Sequence, residues 1–131
     1  MAAVSEFEPD MRAMEATGFP PQAFNFVREG LEHTVKLVHG SGEGKGEDES
    51  RHVSGQQLCM GLRSFAVKQY GLLARTVLRS WNVHSTADFG KMVFAMIDAG
   101  LMRKTDEDQL EDFVAVFDFD EAFGDLPAGR A

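Results

Sequence analysis

The sequence predicts a mainly α-helical protein, a compact bundle of about five helices, on three observations. Apolar residues recur at three- and four-residue steps through most of the chain. Ser, Thr, Pro and Gly stand at the ends of those stretches, where helices start and stop. The chain has 131 residues, 44% of them hydrophobic, which is a single domain's length and enough apolar matter for one core. A winged-helix-like arrangement is a variant of this expectation. Residues 72–102 read as helix, turn, helix, and residues 101–119 contain an alternating stretch suited to a small C-terminal β-hairpin.

Residues 1–17 are weakly patterned, with Phe7, Met11 and Met14 at helical spacing, and are expected to be weakly ordered. Gly18 and Phe19-Pro20-Pro21 then break the chain. Residues 22–39 read as an amphipathic helix with Phe24, Val27, Leu31, Thr34, Val35 and Val38 inward. Pro21 suits its first turn, where a missing N–H costs nothing, and Gly40 stops it. Gly30 inside the helix should cost about 1 kcal/mol relative to Ala, which a close helix crossing would explain. Residues 40–50 hold glycines, charges and serines and read as a flexible surface loop. They do not form a phosphate-binding loop, because Gly46 follows Lys45 where Ser or Thr is needed and no apolar strand precedes them.

The helix that follows has a defined start. Ser54 and Gln57 have the spacing of a capping box, and Val53 and Leu58 that of a hydrophobic staple. Leu58, Leu62, Phe65 and Ala66 make its inner face, and Gly71 ends it. A helix over 72–81 places Leu73, Ala74, Val77, Leu78 and Trp81 inward. Ser85 or Thr86 opens a helix over 86–99 that is apolar nearly all round, through Phe89, Met92, Val93, Phe94, Ala95, Met96 and Ile97, and is therefore expected to be central. Gly100 stops it, and Leu101 folds back on the last turn. Thr105 caps a last element in which Leu110, Phe113, Val114 and Phe117 fit a helix while Phe113, Ala115, Phe117 and Phe119 fit a strand. The single domain thus spans 18–123, with 124–131 as a loose tail.

No apolar run follows Met1, so no signal peptide is expected, and no stretch has the roughly 20 apolar residues of a membrane helix. Cys59 is the only cysteine, which excludes an intramolecular disulfide and suits a cytoplasmic setting. The net charge of −8 is segregated. Residues 51–81 carry five cations and no carboxylate, whereas 105–125 carry nine carboxylates and no cation. Either the two segments neutralise each other or the first is a basic surface for an anionic partner, with the second competing for it.

Several stretches resemble a family of uncharacterised proteins found mainly in planctomycete and verrucomicrobial bacteria. They are Arg51-His52-Val53-Ser54-Gly55-Gln56-Gln57-Leu58, Ala74-Arg75-Thr76-Val77-Leu78, Ser85-Thr86-Ala87-Asp88-Phe89-Gly90-Lys91-Met92-Val93-Phe94, Ala99-Gly100-Leu101 and Phe117-Asp118-Phe119-Asp120-Glu121-Ala122-Phe123. The helix at 22–39 is also similar, so the resemblance covers roughly residues 18–123. Asn82 stands where the family pattern has glycine, a change that a left-handed helix end tolerates. The resemblance implies one compact fold and carries no activity, cofactor or site residue with it.

Candidate sites are few. Arg63, Lys68, Arg75 and Arg79 are candidate anion or nucleic-acid contacts, without the interleaved aromatics of a single-strand binder. Sequence-specific DNA reading is disfavoured because the 86–99 helix offers only Asp88, Lys91 and Asp98 as charges. The four histidines lack metal-ligand spacing, and Glu29 with His33 supplies only two ligands, so no metal or other cofactor is expected. Asp118, Asp120 and Glu121 lack the glycine and distal glutamate of a calcium loop. Ser54 lies outside any nucleophile-elbow pattern, and a Cys59–His52 pair has no orienting third group, so an enzyme is disfavoured. Phe89, Met92 and Met96 form a candidate partner groove, against the simpler reading as core. The expected function is a non-catalytic protein-interaction or regulatory module with an unknown protein partner. The alternative is an RNA-, ribosome- or DNA-associated protein that uses the basic 51–81 segment.

Overall fold

Two long antiparallel helices form the frame of the computed structural model, which describes residues 1–3, 11–40 and 52–124. These are α2 (Pro21–His39) and α3 (Gly55–Tyr70). Most of the expected loop 40–50, most of the tail 124–131 and residues 4–10 lie outside the described residues. Around the frame stand a short helix α1 (Arg12–Thr17), α4 (Ala74–Ser80), α5 (Thr86–Asp98) and α6 (Phe119–Phe123). Single 3-10 turns occur at Gly71–Leu73 and Leu110–Phe113. The protein is mainly helical, as its periodicity predicts.

Glycines set the approach of α2 to α3. A Cβ on Gly30 would run into the Leu62 side chain, and one on Gly61 into Thr34. Thr34 is buried, and its hydroxyl donates to the Gly30 carbonyl at 2.7 Å, so the crossing leaves no orphaned donor. This accounts for a glycine in the middle of α2. Ser54 caps α3 as expected: its Oγ accepts from Gln57 N at 3.0 Å, and Gln57 Oε1 accepts from Ser54 N at 2.8 Å. Val53 and Leu58, the staple pair, are both buried.

Helix α5 packs beneath the frame with Phe89, Met92, Val93 and Met96 fully buried. Phe26 of α2 is the hub of the core, within 5.4–6.4 Å of the Phe65, Tyr70, Trp81 and Phe89 ring centres. Edge and offset ring contacts of this kind add about 0.5–1.5 kcal/mol each beyond area burial.

The ends of the described chain differ from expectation. Residues 101–119 form neither one long helix nor a hairpin. Met102–Arg103 (β2) pairs antiparallel with Ala2–Ala3 (β1), Ala2 opposite Arg103 and Ala3 opposite Met102. The run after Thr105 is a succession of tight turns, with Gln109 and Asp112 exchanging capping bonds around the 3-10 turn. Alternating aromatics alone do not make a strand where a partner strand is taken up elsewhere. The weakly patterned N-terminal segment contributes Met1 and Met14 to the core. The Met1 ammonium donates to Val53 O at 2.9 Å and lies 3.1 Å from an Asp108 oxygen. Leu73 and Val38, expected inward, are 56% and 40% exposed. Leu73 sits in the 3-10 turn before α4, out of phase with it, and Val38 lies on the last turn of α2, where it borders an open groove against the first turns of α3.

Asp108 is buried, which alone would raise its pKa, but the Thr105 backbone N–H and the Met1 ammonium outweigh that and hold it below the ordinary aspartate value. A depressed carboxyl contributes stability that is present above its unfolded pKa and is lost as pH falls through the folded value. Asp108→Asn is therefore expected to cost roughly 2–4 kcal/mol at neutral pH. It should also flatten the acid limb of the stability curve below about pH 4, as read by urea melts across pH. Gly61→Ala is expected to cost about 1–3 kcal/mol by overpacking. Part of that should return in the Gly61→Ala/Thr34→Ala double variant, and strict additivity of the two changes would contradict the crossing.

Candidate functional site

The basic segment is divided by the fold. Residues 113–123 return across α3 and α4, and their path is fixed at Thr86. The Thr86 hydroxyl donates to Phe113 O at 2.6 Å and accepts from Val116 N at 3.2 Å, gripping both sides of a turn in which Ala115 takes φ 55°. The Phe113 side chain is fully buried against the backbones of Gly55 and Gly90, where a Cβ would meet it at 3.0 and 2.8 Å. Beyond this turn, Arg63 lies 5.6 Å from the Phe117 ring centre and Arg75 5.6 Å from that of Phe119. Arg75 Nε also donates to Asp120 at 3.1 Å, while its Nη1 is buried without a hydrogen-bond partner. Asp118 caps α6, its Oδ1 accepting from Asp120 N and Glu121 N.

Of the four candidate anion contacts, the C-terminal segment therefore engages Arg63 and Arg75, which are partly buried, while Lys68 and Arg79 are exposed. The structure brings the acidic segment onto part of the basic one. The candidate groove of Phe89, Met92 and Met96 is not a groove: none of the three has exposed surface. The outer face of α5 carries Lys91 and Asp98 to solvent, and these three side chains lie on its buried face, so the methionines fill the core.

Cys59 is fully buried, and burial pushes its thiol up to about 12, far from the thiolate a nucleophile needs. Among the described residues no group of three or more His, Cys, Asp or Glu side chains is placed to hold a metal ion. No described helix is long and apolar enough to cross a membrane.

The fold does leave apolar surface uncovered. Leu37 is 60% exposed and Met60 46%. With Val38 they line a groove of about 370 Å³ between the C-terminal end of α2 and the N-terminal end of α3, floored by Thr34 and Gly61 and rimmed by Gln56 and Gln57. Val67, exposed to a similar degree, continues the same stripe of α3 two turns on. His33 stands beside it and shares a hydrogen bond of 3.0 Å with Ser64 Oγ. Burial lowers the His33 pKa, and the neighbouring Lys68 and Lys36 lower it further. Sequence reasoning missed this surface because it follows the residues that keep the inward period. The available signal was the residue that breaks it: Leu37, Met60 and Val67 are apolar and lie off the inner stripes of their helices.

A second cleft, of about 240 Å³, opens between α1 and α2, with Met14, Phe24 and Leu101 among its walls and Arg28 and Glu15 at its edge. No protein-family model, curated protein or solved structure matches the chain.

Buried and protonated, Cys59 is expected to resist a thiol reagent such as iodoacetamide in the native protein and to react within minutes in denaturant, as followed by mass spectrometry. Rapid alkylation of the folded chain would contradict the packing of α3.

Proposed function

We propose that this protein is a non-catalytic protein-interaction module whose docking surface is the groove between α2 and α3. The observation that carries the reading is the exposure of Leu37, Val38 and Met60 around one concavity, while the other large apolar side chains of these two helices, Val67 excepted, are buried or partly buried. Apolar side chains gathered around a hollow, with polar residues at the rim, have the composition of an interaction surface. Scattered surface leucines would need no explanation, but these converge. A reduced, buried Cys59 is compatible with a cytoplasmic setting. The basic-segment alternative has less support, because Arg63 and Arg75 already hold Phe117, Phe119 and Asp120.

A photo-crosslinking side chain at position 37 in extract of the source cells is expected to trap a discrete protein adduct. The adduct should be lost when Met60→Asp is added, with the fold unchanged by circular dichroism. Trapping no more at position 37 than at exposed Gln22, on the same helix outside the groove, would contradict the reading.

A further inference from the structure

The face of α3 and α4 that bears Arg63 and Arg75 is occupied, and its occupant is a short linear segment of the chain itself. Phe117 and Phe119 each lie 5.6 Å from one guanidinium, and Asp120 accepts from Arg75 Nε at 3.1 Å. The Phe119 ring rests on Phe89 of α5 at 5.6 Å. It also stacks on Phe117 at 5.8 Å and meets Phe123 edge-on at 5.3 Å. Three features make this occupancy exchangeable. Of the three rings in the segment only Phe119 is buried, and the Asp120 side chain is 70% exposed. The chain enters the segment through exposed Val114 and Ala115, and Ala115 holds a left-handed φ of 55° that an alanine adopts only under strain. Arg75 Nη1 is buried with no hydrogen-bond partner among the described residues, so the segment leaves one donor of its site unused.

From this arrangement we infer that the Arg63–Arg75 face is a peptide-receiving site held in cis by residues 117–123, and that its external partner is a protein segment of the same chemistry. That segment carries two aromatic side chains one residue apart and carboxylates after the second, one of which supplies the acceptor that Arg75 Nη1 lacks. The chain's own segment displays what the site selects. Its rings take the two guanidinium faces and the seat on Phe89, and the carboxylate after the second ring takes Arg75 Nε. Asp118, between the rings, caps the turn that spaces ring and carboxylate, its Oδ1 accepting from Asp120 N at 2.8 Å and Glu121 N at 3.1 Å. Residues 51–81, which bear both arginines, contain no carboxylate to repel such a segment. Nucleic acid also offers rings and anions to arginine, but a capped turn that sets the ring-to-carboxylate spacing belongs to a polypeptide. Because the cis segment is tethered, its high effective concentration keeps weak competitors out. The site is a surface separate from the groove between α2 and α3, and the inference does not depend on that groove.

Fluorescence anisotropy of the full chain with a labelled peptide of the sequence 116–124 tests this, beside one probe with alanine for its first two rings and one with amides for its acids. Phe117→Ser/Phe119→Ser in the full chain empties the site and is expected to bind the first probe at least tenfold more tightly than the native chain does. Either altered probe should bind that variant at least tenfold more weakly, and adding Arg75→Glu should abolish the gain. Circular dichroism checks that each variant is folded. A specific protease site inserted between Val114 and Ala115 gives a measurement that needs no emptied variant. After cleavage of the folded chain, excess first probe should displace the released segment on gel filtration, and the alanine probe should not. A folded double variant that gains no affinity, or a cleaved chain that keeps its segment against excess probe, would overturn the inference. Equal binding of the amide probe would overturn the role given to the carboxylates. Tighter binding of oligouridylate than of the first probe to the double variant would overturn it in favour of nucleic acid. Dimerisation of the native chain in sedimentation, lost in the double variant, would overturn it in favour of a second copy.

Discussion

The close crossing of α2 and α3 is the constraint on which the rest of the structure depends. Gly30 and Gly61 let the two helices approach until Leu62 and Thr34 rest on bare backbone. That approach brings Phe26 and Phe65 to a ring separation of 5.4 Å, and around Phe26 the rings of Tyr70, Trp81 and Phe89 assemble. It also decides what stays outside. With the helices in contact along Gly30, Thr34 and Gly61, the side chains just off the contact line can turn only to solvent. Leu37 and Met60 are those side chains. The core and the exposed groove are two consequences of one packing decision.

The second organising contact is the seat of Phe113. Its ring needs the missing side chains of Gly55 and Gly90, and its carbonyl needs the buried hydroxyl of Thr86. Only after that anchor can the acidic, aromatic end of the described chain reach Arg63 and Arg75. The charge segregation of the sequence is thus partly internal. Cation–ring contacts and one ion pair to a well-exposed Asp120 contribute little individually, on the order of 1 kcal/mol or less. Burial of Phe113 and Phe119 holds the segment, and the charges set where it lies.

Local signals were legible in the sequence and distant ones were not. The Ser54–Gln57 box and the Val53–Leu58 staple are read within a few residues and are present in the structure. Asn82, with φ 64°, occupies the left-handed turn that its residue type permits. Gly30 was readable as a crossing point, though not its partner Leu62. What failed was long-range. No local pattern indicates that Met1 anchors on Val53 and Asp108, or that β2 pairs with residues 2–3. The aromatic run 113–119 is set by Thr86 and two glycines, none of them near in sequence, so neither helical nor alternating periodicity described it. Met92 and Met96 offered both a core and a groove reading, and only enclosure by α2, α3 and the Phe113 turn decides for the core. The groove itself was legible only as a residue of the pattern, in apolar side chains that the inner stripes leave over.

The methionines of this protein divide into inward and outward sets, and solvent accessibility measured at their methyl groups tests that division most directly. With methionine, leucine and valine methyls labelled and a soluble gadolinium chelate added, NMR should show strong relaxation enhancement at Leu37, Val38 and Met60 and almost none at Met92 and Met96. Protection of Met60 together with enhancement at Met92 or Met96 would place the open apolar surface on α5 and contradict the crossing of α2 and α3 as its origin.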